Sequence, residues 1–214
     1  MEKHLLIIAT LDTKGRETAF VRNCVQTIGV KPILMDIGIL GEPTITPDIT
    51  RLELATAAGV NLMNLIEKKD RVRSVRVMEE GGAIIARRLI DEHRLDGVIG
   101  LGGGTGTAIV SSIMRTLPFG LPKVIVSTVA SRDIRQFIGT RDIVMFHSVA
   151  DLLGFNEFIR LILRQATHAV CGMMEGTQAL GKEKPMVAVT AYGINSRAAL
   201  NAEVFLQERG YEML

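Results

Sequence analysis

Short apolar runs recur along the chain, separated by amphipathic stretches. Leu5 to Ala9, Pro32 to Ile37, Gly97 to Leu101, Lys123 to Val126 and Ile143 to Phe146 are each too short for a helix. They are rich in Ile and Val and bounded by Gly, Pro, Asp or Ser, the pattern of strands buried on both faces. Met186 to Thr190, after the polar Gly181-Lys-Glu-Lys-Pro185, reads as a sixth strand. Between the runs the period changes to that of a helix. Phe20, Cys24 and Ile28 recur at helical spacing and stop at Gly29, and Thr50-Arg-Leu-Glu53 matches a capping box for a helix through Ala58. From Asp70, the positions Val75, Met78, Gly82, Ile85 and Leu89 form a long face whose Gly81-Gly82 step predicts close packing. Ile109, Ile113 and Met114 follow a glycine run, and the longest helix is expected from about Asn156 through Met173.

Alternating strands and helices predict a doubly wound, Rossmann-like α/β fold: a mostly parallel sheet with helices on both faces and right-handed crossovers. Residues 1–182 are expected to form a Rossmann-like nucleotide-binding domain. Residues 183–214 read as the first βα unit of a truncated second α/β domain. With 47% hydrophobic and 22% charged residues over 214 positions, the chain can build a sizeable core. Its 21 Gly against 4% aromatics and no Trp suit a helix-covered parallel sheet better than a β-sandwich.

A formal charge of +2 predicts no nucleic-acid partner and no membrane partner. Cys24 and Cys171 lie far apart without metal-ligand spacing, and read as buried thiols in a reducing compartment. No apolar run approaches a bilayer span, and Met1-Glu-Lys-His leading into Leu5-Leu-Ile-Ile-Ala is not expected to be a signal peptide. A cytoplasmic location is expected.

In an open parallel sheet, ligands bind beyond the carboxyl ends of the strands. Gly100-Leu-Gly-Gly-Gly-Thr-Gly-Thr107 sits at one such end, with a helix expected from about Ala108. Glycines permit positive φ and close backbone approach, and the free N–H groups and dipole of a helix start favour an anion. Gly102, Gly103, Gly104, Thr105, Gly106 and Thr107 are therefore candidates for cradling a phosphate. Thr10, Asp12, Thr13 and Lys14 end the first strand; Lys14 is a candidate phosphate partner, and Asp12 and Asp36 are candidates for holding hydrated Mg²⁺. Ser127, Thr128 and Ser131 end the fourth and offer further donors. His147 and Asp151 are candidate acid–base groups if the protein is an enzyme. No nucleophile elbow is present.

Leu11-Asp-Thr-Lys-Gly15, the glycine run, Val126-Ser-Thr-Val-Ala-Ser131, Ile138-Gly-Thr140 and Ser148-Val-Ala-Asp151 with Gly154 and Asn156 occur in this order. Together they resemble the UPF0261 family, also called Tm-1-like ATP-binding proteins, along essentially the whole chain. The resemblance implies two Rossmann-like domains in full-length relatives about twice this size. It implies ATP as cofactor, faced by Asp12, Lys14, the 102–107 loop and residues 127–131, and Mg²⁺ is expected with it. Relatives usually read Gly-Gly-Ser-Gly-Gly-Thr where this chain has Gly102-Gly-Gly-Thr-Gly-Thr107, and a glycine where it has Arg132. The expected function is nucleotide binding, with an enzyme acting on a phosphorylated small metabolite and a nucleotide-dependent protein-interaction module as alternatives. The expected partners are a nucleotide or phosphorylated small molecule and a second copy of the chain, in a homodimer with exchanged C-terminal segments.

Overall fold

Side chains alternate across a strand, and here both sets are buried. Leu5, Ile7 and Ala9 enter one hydrophobic cluster, while Leu6 and Ile8 enter another. The strand that carries them, β1 (His4–Ala9), lies inside a five-stranded sheet with β2 (Lys31–Asp36), β3 (Gly97–Gly102), β4 (Lys123–Ser127) and β5 (Val144–His147). The order is β2-β1-β3-β4-β5 and every pairing is parallel. The computed structural model describes residues 2–68, 70–152, 154–176 and 184–214.

Helices cover both faces. On one, α1 (Leu11–Ile28) and α7 (Glu157–Gly176) bring Val21, Val25, Leu163 and Val170 against Ile7, Ile99 and Val124. On the other, α2 (Arg51–Ala57), α4 (Arg71–Asp91) and α5 (Gly104–Arg115) bring Leu54, Met78, Ile85 and Ile113 against Leu6, Ile8, Met35 and Ile125. This is the doubly wound, Rossmann-like α/β fold, and its strand order is the 2-1-3-4-5 arrangement. Two short helices lie outside the sequence expectation: α3 (Leu62–Lys68) and α6 (Arg135–Ile138), of seven and four residues. At one or two turns they are too short for a helical period to show.

The expected strands and long helices occur, with adjustments: among the described residues the longest helix is α4, of 21 residues, rather than α7, of 20. Thr50 and Glu53 form the capping box at α2, and Gly29 ends α1 in the left-handed region at φ 89°. The buried face of α1 is carried by Val21 and Val25, with Phe20, Cys24 and Ile28 half-buried beside it. The glycine run is less of a loop than expected, because α5 begins at Gly104 rather than near Ala108. None of Gly100, Gly102, Gly103, Gly104 and Gly106 has a positive φ; their role is steric.

The chain divides into two compact units, Met1–Thr177 and Gln178–Leu214. The expected boundary at 182/183 falls in 177–183, outside the described residues, as does most of the polar stretch from Gly181. The second unit pairs β6 (Met186–Val187) in parallel with β7 (Glu212–Met213), joined through a 3-10 turn (Gly193–Asn195) and α8 (Ser196–Gln207). The expected strand and helix are present there, the strand shorter than Met186 to Thr190. No helix among the described residues is long and apolar enough to cross a membrane.

Helix α4 lies close to α2 because Gly81 has no side chain: a Cβ there would stand 2.0 Å from the Leu54 carbonyl oxygen. Gly81→Ala should therefore destabilise the chain by ~1–3 kcal/mol through overpacking. Gly172→Ala, on α7 with nothing within 4 Å of the added methyl, should stabilise it by about 0.5–1 kcal/mol through helix propensity. Urea unfolding of the two variants should give opposite signs.

Candidate functional site at the crevice between the first and third strands

Strand order reverses direction at β1 and β3, so the carboxyl ends of these two strands flank the crevice where ligands of such sheets bind. A cavity of about 460 Å³ opens there, within the size range of small-molecule sites. Three connections build it: the start of α1 after β1, the Ile37–Leu40 segment after β2, and the start of α5 after β3. Helices α3 and α4 close the side with Leu65, Val75, Arg71 and Ser74.

The first turn of α1 contributes Thr10, Asp12 and Thr13. Thr10 is the N-cap residue, its hydroxyl 2.8 Å from that of Thr13. Asp12 is held by its Oδ2, which accepts the Gly41 N–H at 3.1 Å. Its Oδ1 is buried and has no hydrogen-bond partner among the described residues. An unpaired carboxylate oxygen is costly to bury, and it is a group for which a cation or a donor would be a partner.

Asp36 serves another purpose. Its side chain is 1% exposed. Oδ1 accepts N–H groups from Leu11 at 3.0 Å and Gly38 at 2.8 Å, so one carboxylate fixes the exits of β1 and β2 together. Behind it, Arg51 donates to the carbonyls of Ile39 and Gly41 and pairs with Glu42 at 2.6 Å. Burial pushes the Asp36 carboxyl above its ordinary value; the two N–H donors and Arg51 pull against that, and Asp12 adds to it.

At β3, the glycines separate into two kinds. A Cβ on Gly100 would lie 2.1 Å from Val110 Cγ1, and one on Gly102 would lie 2.4 Å from the Thr107 nitrogen. These two let α5 rest on the sheet. Gly103 and Gly104 face open space instead, with nothing nearer than 3.7 Å to a Cβ on the first and nothing within 4 Å of one on the second. Gly103 caps α5 without a side chain, and the first turn of α5 carries no acid. The N–H groups of Gly104, Thr105 and Gly106 have no acceptor among the described residues. The end of α5 is thus an uncovered positive pole, whereas the first turn of α1 carries Asp12. Arg71 reaches across from α4 and donates to Thr105 Oγ1 at 2.6 Å.

The structure brings Thr10, Asp12, Thr13 and Thr105 to one cavity, with Gly103 and Gly104 at the adjoining helix start. Other candidates stand elsewhere. Lys14, at a kink in α1, donates through Nζ to the Leu152 carbonyl and does not line the cavity. Thr107 and Ser127 are fully buried and bonded to each other at 2.7 Å; Ser127 also accepts the Val129 N–H. Gly102 accepts the Thr128 N–H, Thr128 is half-buried beside Gly103, and Ser131 is exposed. His147 and Asp151 are exposed and line no part of this cavity. Among the described residues, no three His, Cys, Asp or Glu side chains gather into a metal cluster. Arg71 and Ser74 were not reached by motif reasoning; the one sequence signal for them is Asp70, whose side chain caps α4 and so places Arg71 in its first turn.

The model of the uncharacterised protein family UPF0261 N-terminal domain matches residues 3–179. The chain belongs to the UPF0261 family. A UPF0261 protein of Clostridium tetani is 40% identical over all of this chain and 53% of its own length, and one of Rhizobium meliloti is 35% identical over 91% and 48%. The ToMV resistance protein Tm-1(GCR237) of Solanum lycopersicum is 43% identical over 58% of the chain and 17% of that protein. This UPF0261 chain spans about half the length of the curated bacterial relatives it matches. A diflavin flavoprotein A3 from Nostoc sp. is similar at 10% identity and TM-score 0.39, over 82% of this chain and 96% of that one. So remote a likeness carries no argument about the site.

The raised Asp36 carboxyl gives a pH signature with a definite sign. The folded chain holds this proton more tightly than the unfolded chain. The group's contribution to stability is therefore greatest below the ordinary value of 3.8 and is lost as pH rises through the higher folded value. Asp36→Asn keeps an acceptor for Leu11 and Gly38 and should remove that component, whereas Asp36→Ala should cost ~2–4 kcal/mol by orphaning two N–H groups. Urea titrations between pH 3.5 and 7 would measure both.

Proposed function

We propose that this domain binds a nucleoside polyphosphate, ATP with Mg²⁺, in the cavity between β1 and β3. The observation that carries the reading is the convergence of three complementary groups on one apolar cavity. These are the uncovered N-terminal pole of α5, the Arg71 guanidinium bonded to Thr105, and the unpaired Oδ1 of Asp12. The pole and Arg71 suit phosphate oxygens. The rest of the wall includes Ile37, Ile39, Leu65 and Val75, which suit a nucleobase. ATP is the nucleotide that the family resemblance implies.

The residues present fit a hydrated Mg²⁺. That ion keeps several waters and takes one or two carboxylates along with phosphate oxygens, and when bound it would neutralise phosphate charge. Asp12 is the carboxylate with a free oxygen. Asp36, saturated on Oδ1 and buried, holds the backbone around Asp12 in place. Lys14 would add charge only if its bond to Leu152 were exchanged.

Thermal denaturation with and without ligand tests the proposal. A ligand at 100 times its dissociation constant adds about 2.7 kcal/mol, so millimolar ATP with Mg²⁺ should raise the melting temperature. Asp12→Asn should abolish the Mg²⁺-dependent part while leaving the fold intact. No shift in the folded wild-type chain rejects the reading. The expected homodimer rests on the exposed Leu200, Val204 and Phe205 of α8; a monomer in light scattering rejects it.

A further inference from the structure

The inner wall of the cavity holds a polar group that the phosphate reading does not use. Ser74, on α4, lines the cavity and is 5% exposed, and its hydroxyl, which is not among the buried unpaired atoms, makes no hydrogen bond among the described residues. This is unusual within the same chain. Hydroxyls inside helices commonly bond back to the carbonyl four residues earlier, and Thr18, Thr27, Thr56 and Thr167 all do so. Ser74 has the Asp70 carbonyl at that position, where its own N–H already donates, and leaves its hydroxyl free.

Placement gives that hydroxyl a role. Arg71 is three residues before Ser74 on α4, and Thr105 is four before Ile109 on α5. Residues three and four apart stack along one helix face, so Ser74 and Ile109 lie one turn beyond the Arg71–Thr105 bond, and both line the cavity. The phosphate groups belong at that bond and the α5 pole. Ser74 therefore meets whatever part of the ligand extends past them, between Leu65, Val75 and Ile109.

We infer that Ser74 is a specificity-determining residue whose hydroxyl bonds the nucleoside half of the ligand. The inference rests on the nucleotide reading of this cavity. In the free chain water reaches this hydroxyl, which is not among the buried unpaired atoms, and a ligand that fills the cavity takes the water's place. Ser74→Ala loses that bond to the ligand but introduces the best helix former, so its two consequences have opposite signs.

The test is calorimetric titration and thermal denaturation of the 214-residue chain, as wild type, Ser74→Ala and Arg71→Ala. The probes are ATP with Mg²⁺ and tripolyphosphate with Mg²⁺. Ser74→Ala should raise the ligand-free melting temperature by about 1–2 °C through helix propensity. It should weaken ATP about five- to tenfold, the loss of one neutral hydrogen bond, and leave tripolyphosphate unchanged. Arg71→Ala should weaken both. A lower melting temperature for Ser74→Ala makes the hydroxyl structural and overturns the inference, as does equal weakening of both probes. Wild type and Ser74→Ala binding ATP equally overturns it while the nucleotide reading stands. Wild type that does not bind ATP removes both.

Discussion

The contact on which the site depends is the close seating of α5 on β3. Two positions in the strand have to lack a side chain for it. At Gly100 a methyl would meet Val110, and at Gly102 it would meet the backbone of Gly106 and Thr107. The second has no relief, because backbone cannot rotate aside as a side chain can. With α5 held so near, Thr107 drops into the interior, where its hydroxyl donates to the Gly102 carbonyl and bonds Ser127, tying the end of β3 to the end of β4. The helix then starts immediately at the strand exit, with Gly103 as its cap and Gly104 as its first residue. One steric condition thus sets both the packing of the sheet edge and the exposure of the helix pole.

Electrostatics at the crevice follows from where charges were placed relative to two neighbouring helix starts. The start of α1 has its own acid, Asp12, and its entering N–H at Leu11 is satisfied by Asp36. The start of α5 has neither. The two helix starts therefore differ in electrostatic potential, although the two helices leave adjacent strands. Asp12 is more than a counterweight. Its Oδ2 holds the Gly41 N–H, which places the segment after β2 along the cavity, while Oδ1 is left without a partner. The same side chain organises the wall and keeps one oxygen buried and unpaired among the described residues.

The fold was largely legible because its determinants are local. Leu5 to Ala9 and Gly97 to Leu101 are short, apolar and bounded by turn formers, and their length and flanks decide for buried strands over helices. The place of the site was legible too, since the strand ends are where a parallel sheet leaves room. Its membership was legible only in part. Thr10, Asp12, Thr13 and Thr105 sit on the strand exits themselves and could be found by reading along them. Lys14 could not be judged, because the kink at its backbone turns its amine to Leu152, 138 residues away. Ser127 looks like a donor in sequence, and its burial against Thr107 appears only when β3 and β4 are paired.

Arg71 and Ser74 illustrate the opposite case, residues silent in sequence that the topology makes prominent. They begin the helix that leads into β3, some thirty residues before the glycine run, and nothing in their neighbourhood signals chemistry. What brings them to the crevice is the sheet order. Because β3 lies beside β1 on the side away from β2, the crossover helix α4 packs next to α5 on the same face, and the first turns of both open at the strand exits. Asp70 then fixes where α4 starts, and with it which residue faces Thr105. A shift of one residue in that start would rotate the first turn by about 100° and carry the guanidinium away from the α5 pole. The cap, rather than any motif, determines which side chains of α4 the cavity receives.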